Sequence, residues 1–82
     1  MRIELGTIVK SKSGRDKGSF YVVVGYKDDT PLIADGRRRK LEKPKAKNLK
    51  HISKTNTITQ TSELTNRKLR AVLHGFNFPA RL

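Results

Sequence analysis

The run Arg37-Arg38-Arg39-Lys40 continues as Lys43, Lys45, Lys47, Lys50 and Lys54, and between residues 35 and 54 only Asp35 and Glu42 oppose it. Guanidinium and ammonium groups crowded in this way repel one another, and a lattice of anions relieves them. A phosphate backbone is such a lattice, because each phosphate that a cation neutralises releases condensed counterions. Three successive arginines also suit bidentate phosphate contacts better than lysines, whose ammonium is a point charge. In a strand, Arg38 would point away from Arg37 and Arg39, so only part of the run could meet one ligand. The imbalance extends to the whole chain of 82 residues: 19 Lys and Arg face 7 Asp and Glu, a net charge of +12 that makes a polyanion the expected partner.

A second candidate is the segment Ser13-Gly14-Arg15-Asp16-Lys17-Gly18. Its glycines permit the positive φ of a tight connection. Arg15 and Lys17 gain nothing structural from an exposed loop tip, so they read as phosphate contacts. The spacing is not that of a nucleotide-binding P-loop, since no Lys-Ser/Thr pair follows the second glycine. With no cysteine there is neither a disulfide nor a thiolate zinc site, and His51 and His74 lack a carboxylate cluster to complete a metal site. Nothing resembles a nucleophile elbow, so no catalytic residue, metal or cofactor is expected. Aromatics make up only 6% of the chain, too few for base stacking to dominate the binding energy. Tyr21, opposite in parity to Phe20 and Tyr26, is the one stacking candidate; phosphate and shape contacts to structured RNA fit the composition better.

These side chains need a scaffold, and the apolar residues that build one cluster between Ile3 and Ile52. Leu5 to Ser11 reads as a short strand, and Phe20 to Tyr26 as a central one, with β-branched and aromatic residues at both parities. Lys27-Asp28-Asp29-Thr30 is a turn cluster, Pro31 can open a strand, and Leu32 to Ala34 closes at Asp35-Gly36, preferred chemistry for a two-residue hairpin. That pairing predicts that Arg37 to Leu41 folds back on Leu32 to Ala34. Leu49 and Ile52 supply the last apolar pair, and the five short strands suggest a small, strongly bent barrel. Residues 55 to 64 lie in a polar stretch that is either a linker or an edge strand. A helix then follows from Thr65, its N-cap, to Gly75, its stop, with Leu64 and Leu69 placed as a staple. Leu69, Val72, Leu73 and Phe76 form its apolar stripe, while Arg67, Lys68 and Arg70 extend the basic surface. At about 9 to 11 residues it needs a surface to dock on.

The succession Gly6-Thr7-Ile8-Val9-Lys10-Ser11-Lys12-Ser13-Gly14-Arg15-Asp16-Lys17-Gly18-Ser19-Phe20-Tyr21-Val22-Val23 resembles a KOW motif, and Gly18 matches its central glycine. The likeness to the ribosomal-protein-like group of KOW-domain RNA-binding proteins extends through Ile33-Ala34-Asp35-Gly36 and Pro44 to Ile52, covering residues 3 to 54. It implies an SH3-like five-stranded barrel, no catalysis and contact with RNA, ribosomal RNA above all, with ribosomal proteins as further neighbours. It nominates Lys12, Arg15, Lys17 and Tyr21 as RNA-facing, and says little of the chain from Ser53 onward.

The combined expectation is a mainly β module, residues 1–54 forming the barrel and 65–82 the helix and tail, monomeric when free. It would bind structured RNA through Lys12, Arg15, Lys17, Tyr21, the 37–40 run, Lys43, Lys45, Lys47, Lys50, Arg67 and Arg70. No signal peptide or spanning segment is evident, and the absence of cysteine fits a reducing compartment, so the expected location is cytoplasmic. One rival is an SH3-like module that receives an acidic segment of a transcription or translation factor in an aromatic groove. Another is membrane attachment through the basic amphipathic helix.

Overall fold

Alternation decides the sheet. In the computed structural model, which describes residues 3–78, five antiparallel strands form one sheet: β1 (Thr7–Ser11), β2 (Phe20–Lys27), β3 (Thr30–Ala34), β4 (Lys45–Ala46) and β5 (Ile52–Ile58). The order is β4-β3-β2-β1-β5, which puts the most apolar strand, β2, in the middle. Ile8 pairs with Val22 and Val22 with Ala34, and all three are fully buried on one face. Val9, Tyr21, Val23, Ile33 and Ile52 are buried on the other. Both faces of β2 are therefore covered, as its composition demanded. The architecture is mainly β and consistent with the expected SH3-like arrangement, but β4 and β5 remain edges and the ladder does not close into a barrel.

The polar stretch after Ile52 is an edge strand as far as Ile58, held to β1 by Val9–Lys54 and Lys10–Ser53 pairing. Thr55 Oγ1 also donates to Ile8 O at 2.7 Å. A register shift between Val23 and Gly25 reverses the alternation within β2. Tyr26 consequently joins the face of Tyr21 instead of that of Phe20, and its hydroxyl accepts from Ile3 N–H at 2.6 Å and donates to Ile3 O.

Helix α1 (Asn66–Asn77) docks on the Ile8–Val22–Ala34 face. Thr65 caps it by accepting from Lys68 N–H at 3.1 Å. Leu69 and Leu73 are fully buried against the sheet, each worth roughly 1.5–3 kcal/mol of apolar burial. Phe76 packs on Phe20 with ring centroids 5.2 Å apart. Two asparagines fasten the ends: Asn66 Oδ1 accepts from Leu41 N–H at 2.7 Å and Asn77 Oδ1 from Phe20 N–H at 2.8 Å. The second contact explains why the helix continues past Gly75, the expected stop: two more helical residues bring Asn77 to the start of β2.

The expected hairpin at Asp35-Gly36 is replaced by a closed loop. Asp35 Oδ1 accepts from both Arg37 N–H and Arg39 N–H at 2.9 Å, and Asp35 N–H donates to Arg39 O at 2.9 Å. A carboxylate that collects these backbone donors competes directly with a strand ladder. Residues 37–41 thus stay out of the sheet, and the strand that pairs with β3 is Lys45–Ala46.

Candidate functional site

Two loops organised by two buried carboxylates carry the basic residues. In the first, Asp16 is 7% exposed although its neighbours Arg15 and Lys17 lie open to solvent. Ser11 Oγ donates to Asp16 Oδ1 at 2.8 Å, and Lys47 Nζ does so at 3.2 Å while also reaching Ser13 O at 3.1 Å. Lys45 Nζ stands 3.8 Å from Asp16 Oδ2. Burial alone would raise the Asp16 pKa, but the Ser11 and Lys47 hydrogen bonds, aided by Tyr21 and the Lys45 charge, outweigh it and bring the carboxyl down to about 2. Desolvation first, then the Asp16 carboxylate, pushes the Tyr21 phenol up, so it stays protonated.

In the second loop Asp35, 9% exposed, holds the Arg37–Arg39 backbone. Gly36 there has φ +79°, and a Cβ would stand 2.3 Å from Asn66 O, so the loop presses directly on the start of α1. Arg70 crosses back from the helix and donates from Nη1 to Gly36 O at 2.9 Å. The loop is braced from both sides, and Arg37, Arg38 and Arg39 project outward.

Because these arginines do not lie in a strand, the alternation that would have separated Arg38 from its neighbours does not apply. Arg38 stands between two concavities. One, of about 410 Å³, is lined by Lys17, Arg37, Arg38, Arg70 and His74, with Phe78 at its rim and Asp35 as its acid. The other, of about 310 Å³, is lined by Arg15, Arg38, Arg39 and Lys45 around Asp16 and Tyr21. A third, of about 470 Å³, shares Lys17 and Gly18 with the first and adds Lys10 and Lys12. Together they form a continuous basic tract over β1, the 13–18 loop, the 37–39 loop and the last turns of α1. Both acids along it are held from within the fold, Asp35 Oδ1 by backbone amides and Asp16 Oδ1 by Ser11 and Lys47, while the buried Asp16 Oδ2 has no hydrogen-bond partner and faces the Lys45 ammonium at 3.8 Å.

The expected contact residues therefore separate. Lys12, Arg15, Lys17, Arg37, Arg38, Arg39, Lys45 and Arg70 share the tract. Lys40, Lys43, Lys50 and Arg67 are exposed but line none of these three concavities. Two nominees are internal. Tyr21 is 1% exposed within the core, so it has no face to offer a base. Lys47 is 8% exposed and bound to Asp16, so a residue of the basic run is neutralised by a loop remote in sequence. Lys10, His74 and Phe78 join the tract without having been expected there. Lys10 was legible as the one outward position of β1, whose other residues are buried. Phe78 lay beyond the expected helix end.

Among the described residues no group of three His, Asp or Glu side chains could hold a metal ion, and no helix is long and apolar enough to cross a membrane. No protein-family model and no curated protein matches the chain.

Proposed function

We propose that this protein is a non-catalytic RNA-binding module whose basic tract neutralises the phosphates of a structured RNA. The observation that carries the reading is the joining of Arg15, Lys17, Arg37, Arg38, Arg39, Lys45 and Arg70 along connected concavities whose acids are already engaged. Such a surface has a preorganised field and little means of reading duplex sequence, so binding is governed by phosphate geometry and salt. The KOW-like succession from Gly6 to Val23 supports the same assignment and favours ribosomal RNA, with ribosomal proteins as neighbours. The protein would then act in the cytoplasm, as a monomer when free.

The test is RNA affinity against salt concentration. Contact with about five to seven phosphates gives a log–log slope of roughly −4 to −6. Changing Arg37, Arg38 and Arg39 together to Ala keeps the backbone N–H groups that Asp35 holds, so folding persists while affinity and slope both fall. The slope should lose about 2 to 3 in magnitude. A slope near zero in the wild type, or competition by poly-Glu but not by RNA, would discard the proposal and favour an acidic protein partner.

A further inference from the structure

Most of the tract is cationic and aliphatic, but one end of it is aromatic. Phe78 is 55% exposed, the largest exposure among the described large hydrophobic side chains. It does not pack in either core cluster. Its ring is flanked by two groups of the same concavity: the Arg37 guanidinium lies 5.6 Å from its centroid, and the His74 ring lies 5.4 Å away at an interplanar angle of 38°. Lys17, Arg38 and Arg70 supply further cations to that space, whose one acid, Asp35, accepts from the Arg37 and Arg39 amides. The backbone beneath the ring is fixed, since Phe78 N–H donates to His74 O at 2.8 Å and Asn77 is tied to Phe20.

A half-exposed aromatic ring, backed on one side by the Arg37 guanidinium, beside a cluster of guanidinium and ammonium groups matches the two halves of a nucleotide, a flat π-surface and a phosphate. We infer that the concavity between the 37–39 loop and the end of α1 receives one unpaired nucleotide of the RNA, its base stacked on Phe78 and its phosphate held by Lys17, Arg38 and Arg70. A base inside a regular helix has both faces covered by its neighbours, so this site takes a nucleotide from a bulge, loop or end. Arg37 backs the ring with its guanidinium plane, a role that the point charge of a lysine would not fill in the same way. The volume of about 410 Å³ falls within the range of small-ligand pockets. The inference rests on the RNA-binding reading and adds that the tract distinguishes an unpaired base from a paired one.

Two RNAs of equal length test it, a hairpin with one bulged nucleotide and the same hairpin fully paired, each measured against wild type, Phe78→Ala and Phe78→Trp. Loss of one stacked base costs roughly 5- to 150-fold in affinity. Phe78→Ala should therefore weaken binding to the bulged hairpin by that factor and binding to the paired one far less, and Phe78→Trp should restore it. With 2-aminopurine as the bulged base, wild type should quench its fluorescence and Phe78→Ala should not. Salt-dependent RNA binding with equal affinity for the two hairpins, or an equal effect of Phe78→Ala on both, would overturn this inference and leave the RNA-binding proposal standing. Absence of RNA binding by the wild type would overturn both. The side chain is more than half exposed, so the Ala variant should fold, and an unchanged thermal midpoint checks it.

Discussion

Lys47 lies inside the basic run yet is the residue there whose removal should damage folding more than binding. Its ammonium and the Asp16 carboxylate are 3.2 Å apart, with side chains only 9% and 8% exposed. Replacing Lys47 by Met keeps much of the aliphatic stem and removes the charge. Breaking a buried pair by deleting one partner costs about 3–5 kcal/mol, because the remaining ion stays desolvated. The Ser11 hydroxyl still donates to Asp16 and Lys45 remains 3.8 Å away, which places the loss at the lower end, about 3 kcal/mol. A domain of this length has a total stability of about 4–12 kcal/mol, so the loss is a large fraction. At about 4–8 °C per kcal/mol, Tm should fall by roughly 12–24 °C in a calorimetric scan. The double variant Asp16→Asn with Lys47→Met removes both charges and should recover part of that loss. RNA affinity measured well below the lowered midpoint should change little, since Lys47 does not reach the surface. An unchanged Tm, or intact stability with reduced RNA affinity, would refute the assignment of Lys47 to the interior.

The same carboxylate predicts an acid limb. Asp16 titrates at about 2 in the fold against 3.8 ordinarily, so its stabilisation of about 2 kcal/mol is complete above about pH 4 and drains away as pH falls toward 2. Tm followed through that window should drop in the wild type and much less in Asp16→Asn, and parallel curves would contradict the linkage. Two glycines with similar positive φ separate backbone strain from close approach. Gly18, at φ +92°, has open space where a Cβ would stand, with no atom within 4 Å, and should tolerate Ala at a cost of about 1–2 kcal/mol. Gly36→Ala would in addition drive a Cβ into Asn66 O at 2.3 Å, so urea unfolding should show a markedly larger loss, and equal losses would mean that the loop does not bear on α1.

What was legible in the sequence was local and periodic. β2 could be read because β-branched and aromatic residues fill both its parities, and α1 because Leu69, Val72, Leu73 and Phe76 recur at helical spacing. What was not legible depended on single hydrogen bonds or on distant partners. Asp35-Gly36 did signal a positive φ, realised at Gly36, but nothing local announced that the Asp35 side chain would gather Arg37 and Arg39 and keep them from pairing. Parity assigned Tyr26 to the face of Phe20, and the irregularity between Val23 and Gly25 reversed it. Lys47 looked like its neighbours because its partner lies 31 residues earlier. Gly75 resembled a stop because its alternative, Asn77 anchored on Phe20, is a contact 57 residues apart.

Two of these departures share a cause that bears on function. A chain with so few acids has little means of offsetting its own cations, and it places Asp16 and Asp35 beneath the two basic loops instead of on the surface. There each carboxylate works inward: Asp16 fixes β1 to the segment after β4, and Asp35 closes the arginine loop against α1. Negative charge that would have paired with Arg15, Lys17 or Arg37–Arg39 at the surface serves instead to order the backbone that displays them. The entropy of holding the basic loops in place is thereby met during folding, and the polyanion proposed as partner would find donors already arranged. Had the acids been exposed beside the arginines, the ion pairs would have been weak and the anion would have had to displace them. The hydrogen bonds to two buried carboxylates thus order the basic loops, and the burial keeps those acids from pairing with the arginines at the surface.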